Sequence, residues 1–365
     1  MMQRLSTHQY TMLTAGVLLG TTFMVSGSIV AQAAGRDGWM AILPAFLVAV
    51  PFTWMIFSLV PKYPNQNLIK ISEKVLGKWL GKAFGLLYSL IMIYFGGLFS
   101  SQGVDMYNRT VLPLMPQYIL ILGVSLITFY LYISGIEVLG RFAEVIFPLI
   151  CLSLLFIAVF IIPRFERGEL FPILQNGIPP VLSATTKISP WAMEYVLFLA
   201  GLLPFLPNSR KDIRILKKNF FKALSIVIFL STIIVLVQIM TFGPFETARL
   251  TYGLLVLGNM VEISRTVAGI EAVFTLFWMG ALTLKAAAFF FAGVWGLQSV
   301  FGFKGRKSAL SVGIIFVLIP LLGSKGANVV IQMAFVDWYL ILPFAVFWIC
   351  TVWGVDLWKS RKKIF

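Results

Sequence analysis

The sequence is short of charge. Of its 365 residues, 12% are Asp, Glu, Lys or Arg, where a soluble domain carries about a quarter. It has one histidine, His8, and two cysteines, Cys151 and Cys350, both inside apolar runs. Those counts argue neither for a disulfide framework nor for a Cys/His metal site. There is no HExxH, no Walker loop and no supported Ser/His/Asp set, so nothing argues for an enzyme and no cofactor or metal is expected. Acid is scarcer than base, 14 residues against 29, for a net charge of +15. In a soluble chain that excess would suggest nucleic acid. Here 59% of residues are hydrophobic and mean hydropathy is +0.92, so the basic residues belong to loops at a membrane surface and nucleic acid is not an expected partner. No cleavable signal peptide is expected, because the first apolar run is too long and lacks a small-residue cleavage site before a soluble domain.

What is present is a series of long apolar stretches, uncharged except for one acid inside 188–209 and one base inside 272–303. They run over 5–35, 38–61, 83–104, 110–136, 145–163, 188–209, 223–245, 272–303, 308–324 and 338–355, the last bounded by Asp337 and Asp356. The chain therefore reads as an all-α polytopic membrane protein, one transmembrane domain over 1–365 with ten helices. Alternate loops differ in charge. One side collects Arg4, the lysines from Lys62 to Lys82, Arg141, the cluster from Arg210 to Lys222, Lys304, Arg306 and the tail up to Lys363. The other side holds fewer basic residues, Arg36, Arg109, Arg265 and Lys325 among them. By the positive-inside rule both termini are cytoplasmic. The segment LIKISEKVLGKWLGK reads as an amphipathic helix on the inner membrane surface, in contact with lipid. Two long outer loops, Arg164 to Lys187 with Pro179-Pro180 and Gly243 to Glu271 with Glu262, interleave apolar residues and predict short interfacial helices.

No charge falls between Arg4 and Arg36, yet this first span is not a plain anchor. It carries Gly16, Gly20 and Gly27, with a polar knot at Gly20-Thr21-Thr22. Glycine loosens a helix, and threonine hydroxyls offer its backbone alternative partners. In lipid, freed backbone groups must be satisfied within protein or along a water-filled cavity. The alternatives are small residues for close helix packing and a broken helix that holds a substrate near the midplane. If the ten spans form two inverted repeats of five, 10–163 and 188–358, the sixth helix should be interrupted too. It contains Gly201 and Pro204, and Pro204 removes a donor from the helix ladder.

Two ionisable residues lie inside spans. Glu194 sits near the outer end of the sixth, where it either snorkels to the interface or meets a ligand. Lys285 is deeper in the eighth, within WMGALTLKAAAFFFAG, where snorkelling is difficult. Its ammonium has three open roles: standing in place of a bound cation beside the first helix, pairing with a substrate carboxylate or freed carbonyls, or carrying a proton.

Short motifs in a fixed order carry a family resemblance. They are Ala34-Gly35-Arg36-Asp37-Gly38-Trp39, Tyr63-Pro64, Leu76-Gly77-Lys78-Trp79-Leu80-Gly81-Lys82, Gly135-Ile136-Glu137 with Arg141, Phe205-Leu206-Pro207, and Ile270-Glu271 with Trp278. On these the chain resembles the spore germination permease-like family, the B subunits of germinant receptors, within the amino acid–polyamine–organocation superfamily. It departs at Ser26, where proline is frequent, at Tyr252-Gly253, where Tyr-Pro is frequent, and at Gly269, where arginine is common. The resemblance implies ten helices in two inverted five-helix repeats, LeuT-like. It implies a sensor of a small nutrient, usually an amino acid, in the spore inner membrane beside a membrane A subunit and a lipoprotein C subunit. The alternative is a proton- or cation-coupled amino acid transporter. Carried onto this chain, the ligand pocket would comprise Gly20, Thr21, Thr22, Ile91, Phe95, Phe198, Leu199, Lys285 and Phe289, with Glu194 beside them. Ile91 and Phe95 are four residues apart, as are Lys285 and Phe289, so each pair shares a helix face.

Overall fold

The computed structural model describes residues 4–20, 22–110, 112–261, 270–303, 307–323 and 327–362. Thr21, Glu262, Arg265, Gly269, Lys304, Arg306, Lys325 and Lys363 lie outside the described residues. The described residues form helices and turns. In chain order the α-helices are α1 (Thr7–Leu19), α2 (Thr22–Ala34), α3 (Ile42–Leu47), α4 (Ala49–Leu59), α5 (Leu68–Leu76), α6 (Lys78–Thr110), α7 (Gln117–Ser134) and α8 (Ile136–Phe160). They continue with α9 (Pro179–Leu202), α10 (Arg210–Arg249), α11 (Gly253–Met260), α12 (Ile270–Phe301), α13 (Lys307–Leu322), α14 (Ala327–Val336) and α15 (Leu342–Lys362).

Among the described residues, eight helical stretches are long and apolar enough to cross a membrane. The first, Thr7–Leu59, covers the first two predicted spans, joined by the 3-10 segment Gly35–Ala41. The ninth predicted span falls on a shorter apolar helix, Leu310–Leu322. At the centre, α12 packs most extensively on α6, while α1 and α2 pack on α10, and α2 on α9. α7 has an outer row, with Leu122, Leu126 and Ile127 exposed, as a helix facing hydrocarbon should.

Where prediction and structure differ, the reasons are local. Pro179 and Pro180 open α9 instead of sitting in a loop, because a first-turn proline has no N–H to leave unpaired. The interruption expected in the sixth helix falls at its end: α9 runs unbroken to Leu202 and turns into the 3-10 segment Leu203–Phe205, with Pro204 in that turn. The long loop after α8 holds only the 3-10 turns Ile162–Arg164 and Arg167–Leu170. The second long loop does hold a short helix, α11. α10 reaches beyond its predicted span at both ends: it begins at Arg210, capped by Ser209, and it restarts at Pro244 after a kink at Gly243, whose φ of 74° suits glycine. α5 buries Leu68, Ile69, Ile71 and Val75, and its Ser72 hydroxyl accepts the Trp348 indole N–H at 2.9 Å; it is tied into the bundle.

The two faces of the bundle are held by different contacts. On one, Arg4 donates to Asn65 at 3.4 Å, and Lys62 pairs with Asp356 at 2.6 Å. There too Lys359 donates to the Val75 carbonyl at 2.8 Å, so the N-terminal segment, the lysine-rich segment and the C-terminal helix meet. On the other, Arg36 donates to the Phe171 carbonyl, and Asp37 accepts the Leu174 amide N–H at 3.0 Å. The Arg36-Asp37 motif thus fastens the loop after α8 over the junction of α2 and α3.

Candidate functional site

The first span holds two helices, α1 and α2, and Gly20 after α1 keeps a helical φ of −48° and ψ of −28°. α1 ends at Leu19 and α2 begins at Thr22. Thr22 hydroxyl donates to the Leu18 carbonyl at 2.9 Å, binding the two helices where they meet. Gly20 is needed there for space: a Cβ would lie 3.0 Å from Lys285 Cδ and 3.0 Å from the Gly16 carbonyl oxygen. The lysine of α12 therefore runs directly past the place where α1 meets α2.

Lys285 is fully buried, and its Nζ lies 2.5 Å from a carboxylate oxygen of Glu194 on α9. Glu194 is 1% exposed, which overturns the snorkelling alternative. α9 starts earlier than predicted, at Pro179, so Glu194 lies well inside the helix instead of near its outer end. The ammonium also sits 4.3 Å over the ring of Phe99, a cation–π contact that strengthens when water is excluded.

Aromatic rings surround the pair. Phe289 of α12 stands 5.0 Å from Phe99 centroid to centroid, and 6.5 Å from both Phe95 and Phe198, nearly parallel to the latter. Gly20, Phe95, Phe198, Lys285, Phe289 and Glu194 thus come together at one place. Ile91 and Leu199 are buried in the same core. Leu199 follows Phe198 directly, which turns it about 100° around the helix axis. Phe99 was not foreseen, although it stands four residues after Phe95 and shares its face.

A third ionisable residue was missed. Asp337 reads in the sequence as the boundary of the last span. In the structure it is 2% exposed and opens a π-helical turn, Asp337–Ile341, between α14 and α15. Such wide turns are frequent at functional sites. Its carboxyl faces that of Glu194 and the indole of Trp191. The signal was available: apolar residues continue on both sides of Asp337, from Ala327 to Val355. Beside this cluster, the hydroxyls of Tyr10 and Tyr195 hydrogen-bond at 2.7 Å and tie α1 to α9.

A cavity of about 740 Å³ opens on the side of Trp191. Ser28 and Gln32 of α2, Lys187 and Trp191 of α9, Arg249 and Trp338 are among its lining residues. It is larger than an amino acid needs, and it approaches the buried cluster through the two indoles.

Comparisons with known proteins agree along most of the chain. A family profile described as "Spore germination protein" matches residues 4–329. Spore germination protein KB of Bacillus subtilis (strain 168) is 24% identical over 94% of this chain and 92% of its own length. Spore germination protein YndE of the same organism is 28% identical over 55% of each chain, so this match spans about half the length of either protein. Among solved structures, MhsT in complex with L-phenylalanine has a TM-score of 0.70 at 12% identity, covering 96% of this chain and 89% of that one. The nucleobase-cation-symport-1 transporter MHP1 has a TM-score of 0.68 at 13% identity, covering 93% and 77%. At these identities the structural likeness establishes the fold, that of LeuT-like transporters.

Proposed function

The chain belongs to the spore germination protein family, and from that premise we propose that it is the B subunit of a germinant receptor that binds a small apolar amino acid. The observation that carries the reading is Lys285, lying where α1 meets α2 with Glu194 at its tip and phenylalanines on its flank. A zwitterion needs one partner of each sign plus backbone groups free to bond it. The ion pair would supply the charges, and backbone groups where α1 meets α2, beside Lys285, would supply the rest on opening. Ile91, Phe95, Phe198 and Phe289 then enclose an apolar side chain, and Leu199 backs them. The likeness in fold to MhsT, solved in complex with L-phenylalanine, supports an amino acid of this kind.

In the present structure the rings of Phe95, Phe99, Phe198 and Phe289 meet one another. A ligand side chain must part them to enter. Binding is thus coupled to helix displacement, which is what a sensor requires: the ligand shifts a conformational equilibrium by its preference for the parted state. A membrane A subunit and a lipoprotein C subunit would read that shift. The protein would lie in the spore inner membrane, its lysine-rich face cytoplasmic, with ten crossings arranged as the inverted repeats 10–163 and 188–358.

The second reading is a proton- or cation-coupled amino acid transporter, favoured by the same fold and by the cavity that approaches the site. One experiment separates the two. Purified protein in liposomes is given a panel of labelled amino acids, and binding and uptake are measured together. Saturable binding without accumulation supports the sensor. Accumulation, above all under a proton gradient, makes the chain a transporter. Absence of both, repeated with A and C subunits present, would sink the proposal.

A further inference from the structure

Three ionisable groups meet in the apolar core from three separate elements: Glu194 on α9, Lys285 on α12 and Asp337 in the π-turn. All are at least 98% buried. Fully ionised, they would leave one negative charge without a counter-charge inside a bilayer. An uncompensated buried charge costs several kcal/mol. The elements around them bring no relief among the described residues. Asp105 and Arg109 of α6 pair with each other at 3.0 Å, and Lys187 of α9 faces the cavity. The charged groups facing Glu194 are Lys285 and Asp337, and those facing Asp337 are Glu194 and Lys285.

A second observation points the same way. Among the described residues no donor reaches the buried Glu194 Oε1 or Asp337 Oδ1, although the two carboxyls face each other. Two facing carboxylates repel. With one proton between them, one carboxyl becomes a donor to the other, and the count of charges falls to one ammonium and one carboxylate.

We propose that Glu194, Asp337 and Lys285 form a proton-binding site that holds one exchangeable proton between the two carboxyls. Release writes simply: the shared carboxylic acid becomes a carboxylate, the proton passes to water, and no other reactant is needed. The way out is through Trp191, whose indole faces Asp337 and lines the 740 Å³ cavity. The proton therefore exchanges with the solution on the side of the Arg36–Phe171 contact, where Lys187 and Arg249 stand, and not on the lysine-rich face. This inference holds whichever amino acid binds, because it counts only the protein's own charges.

The test uses full-length protein in lipid nanodiscs, without ligand and in sodium-free buffer at neutral pH. Infrared spectroscopy reads the carbonyl stretch of a protonated carboxyl shielded from water. The wild type should show that band, and Asp337→Asn should abolish it, because Glu194 then pairs one-to-one with Lys285. Glu194→Gln should abolish it likewise, with Asp337 as the remaining partner. Lys285→Met should strengthen it about twofold, since neither carboxyl then has a counter-charge. Exchange into heavy water should shift the wild-type band faster in Trp191→Ala than in the parent. A wild type without the band overturns the proposal outright, and needs no variant to fold. A band that survives both Asp337→Asn and Glu194→Gln overturns it too, as does a band that is lost only on Asp105→Asn.

Discussion

Lys285→Met tests the ion pair at its centre. The substitution keeps the length of the side chain and its apolar stem, so the packing loss stays below about 1.5 kcal/mol. It removes the ammonium that lies 2.5 Å from Glu194 and 4.3 Å over Phe99. Taking one member from a buried pair leaves the other uncompensated, which costs about 3–5 kcal/mol. The lost cation–π contact adds about 1–2 kcal/mol in a dry site. Glu194→Gln should cost less, about 1–3 kcal/mol, because Asp337 remains to face the ammonium. The double variant removes both halves of the pair and should recover much of the loss, giving a coupling energy of at least about 2 kcal/mol. Thermal unfolding of the four proteins in one detergent, at one pH, gives the cycle. A double variant as unstable as the sum of the singles would show that the two residues do not act as a pair, and the reasoning from the salt bridge would fail.

Four further outcomes follow from particular contacts. Gly20→Ala keeps a helical backbone (φ −48°, ψ −28°) but sets a methyl 3.0 Å from Lys285 Cδ; a stability loss of about 1–2 kcal/mol is expected, with a larger loss of ligand binding, and unchanged binding in a titration would disprove the placement of the site. Phe95→Ala should shift preference toward bulkier apolar amino acids in the liposome panel; an unaltered order of preference counts against the aromatic pocket. Gly201→Ala would drive a methyl into the Tyr88 hydroxyl, at about 1–3 kcal/mol, and Tyr88→Phe in the same chain should restore most of the unfolding midpoint. Tyr63, in the turn after α4, donates to Asp356 at 2.7 Å; partial burial, then the carboxylate beside it, pushes its phenol up to about 12. A folded value raised above the ordinary value of about 10 stabilises at pH below the latter and is lost as pH rises through the former, so stability should fall between those two values in the wild type and more weakly in Tyr63→Phe.

Some of this molecule was legible in one dimension. Long apolar runs must be helices that satisfy their own backbone in lipid, so the membrane class and most of the long helices could be read from the sequence, while α14 lay between two predicted spans. The division of the first span into α1 and α2 was hinted at because glycine and threonine weaken a helix through local chemistry. Lys285 was readable because a charge deep in an apolar run is costly anywhere in the fold. Tertiary structure decided what those features meet. Glu194 faces Lys285 only because α9 packs beside α12, and a charge near a span's end looks in sequence like a side chain reaching for water. Asp337 looked like a boundary because a single acid between two apolar runs is ambiguous: it ends a helix in water or enters a core through a widened turn. Which of these holds depends on whether another helix brings a partner to it, and that is set by contacts between residues far apart in the chain.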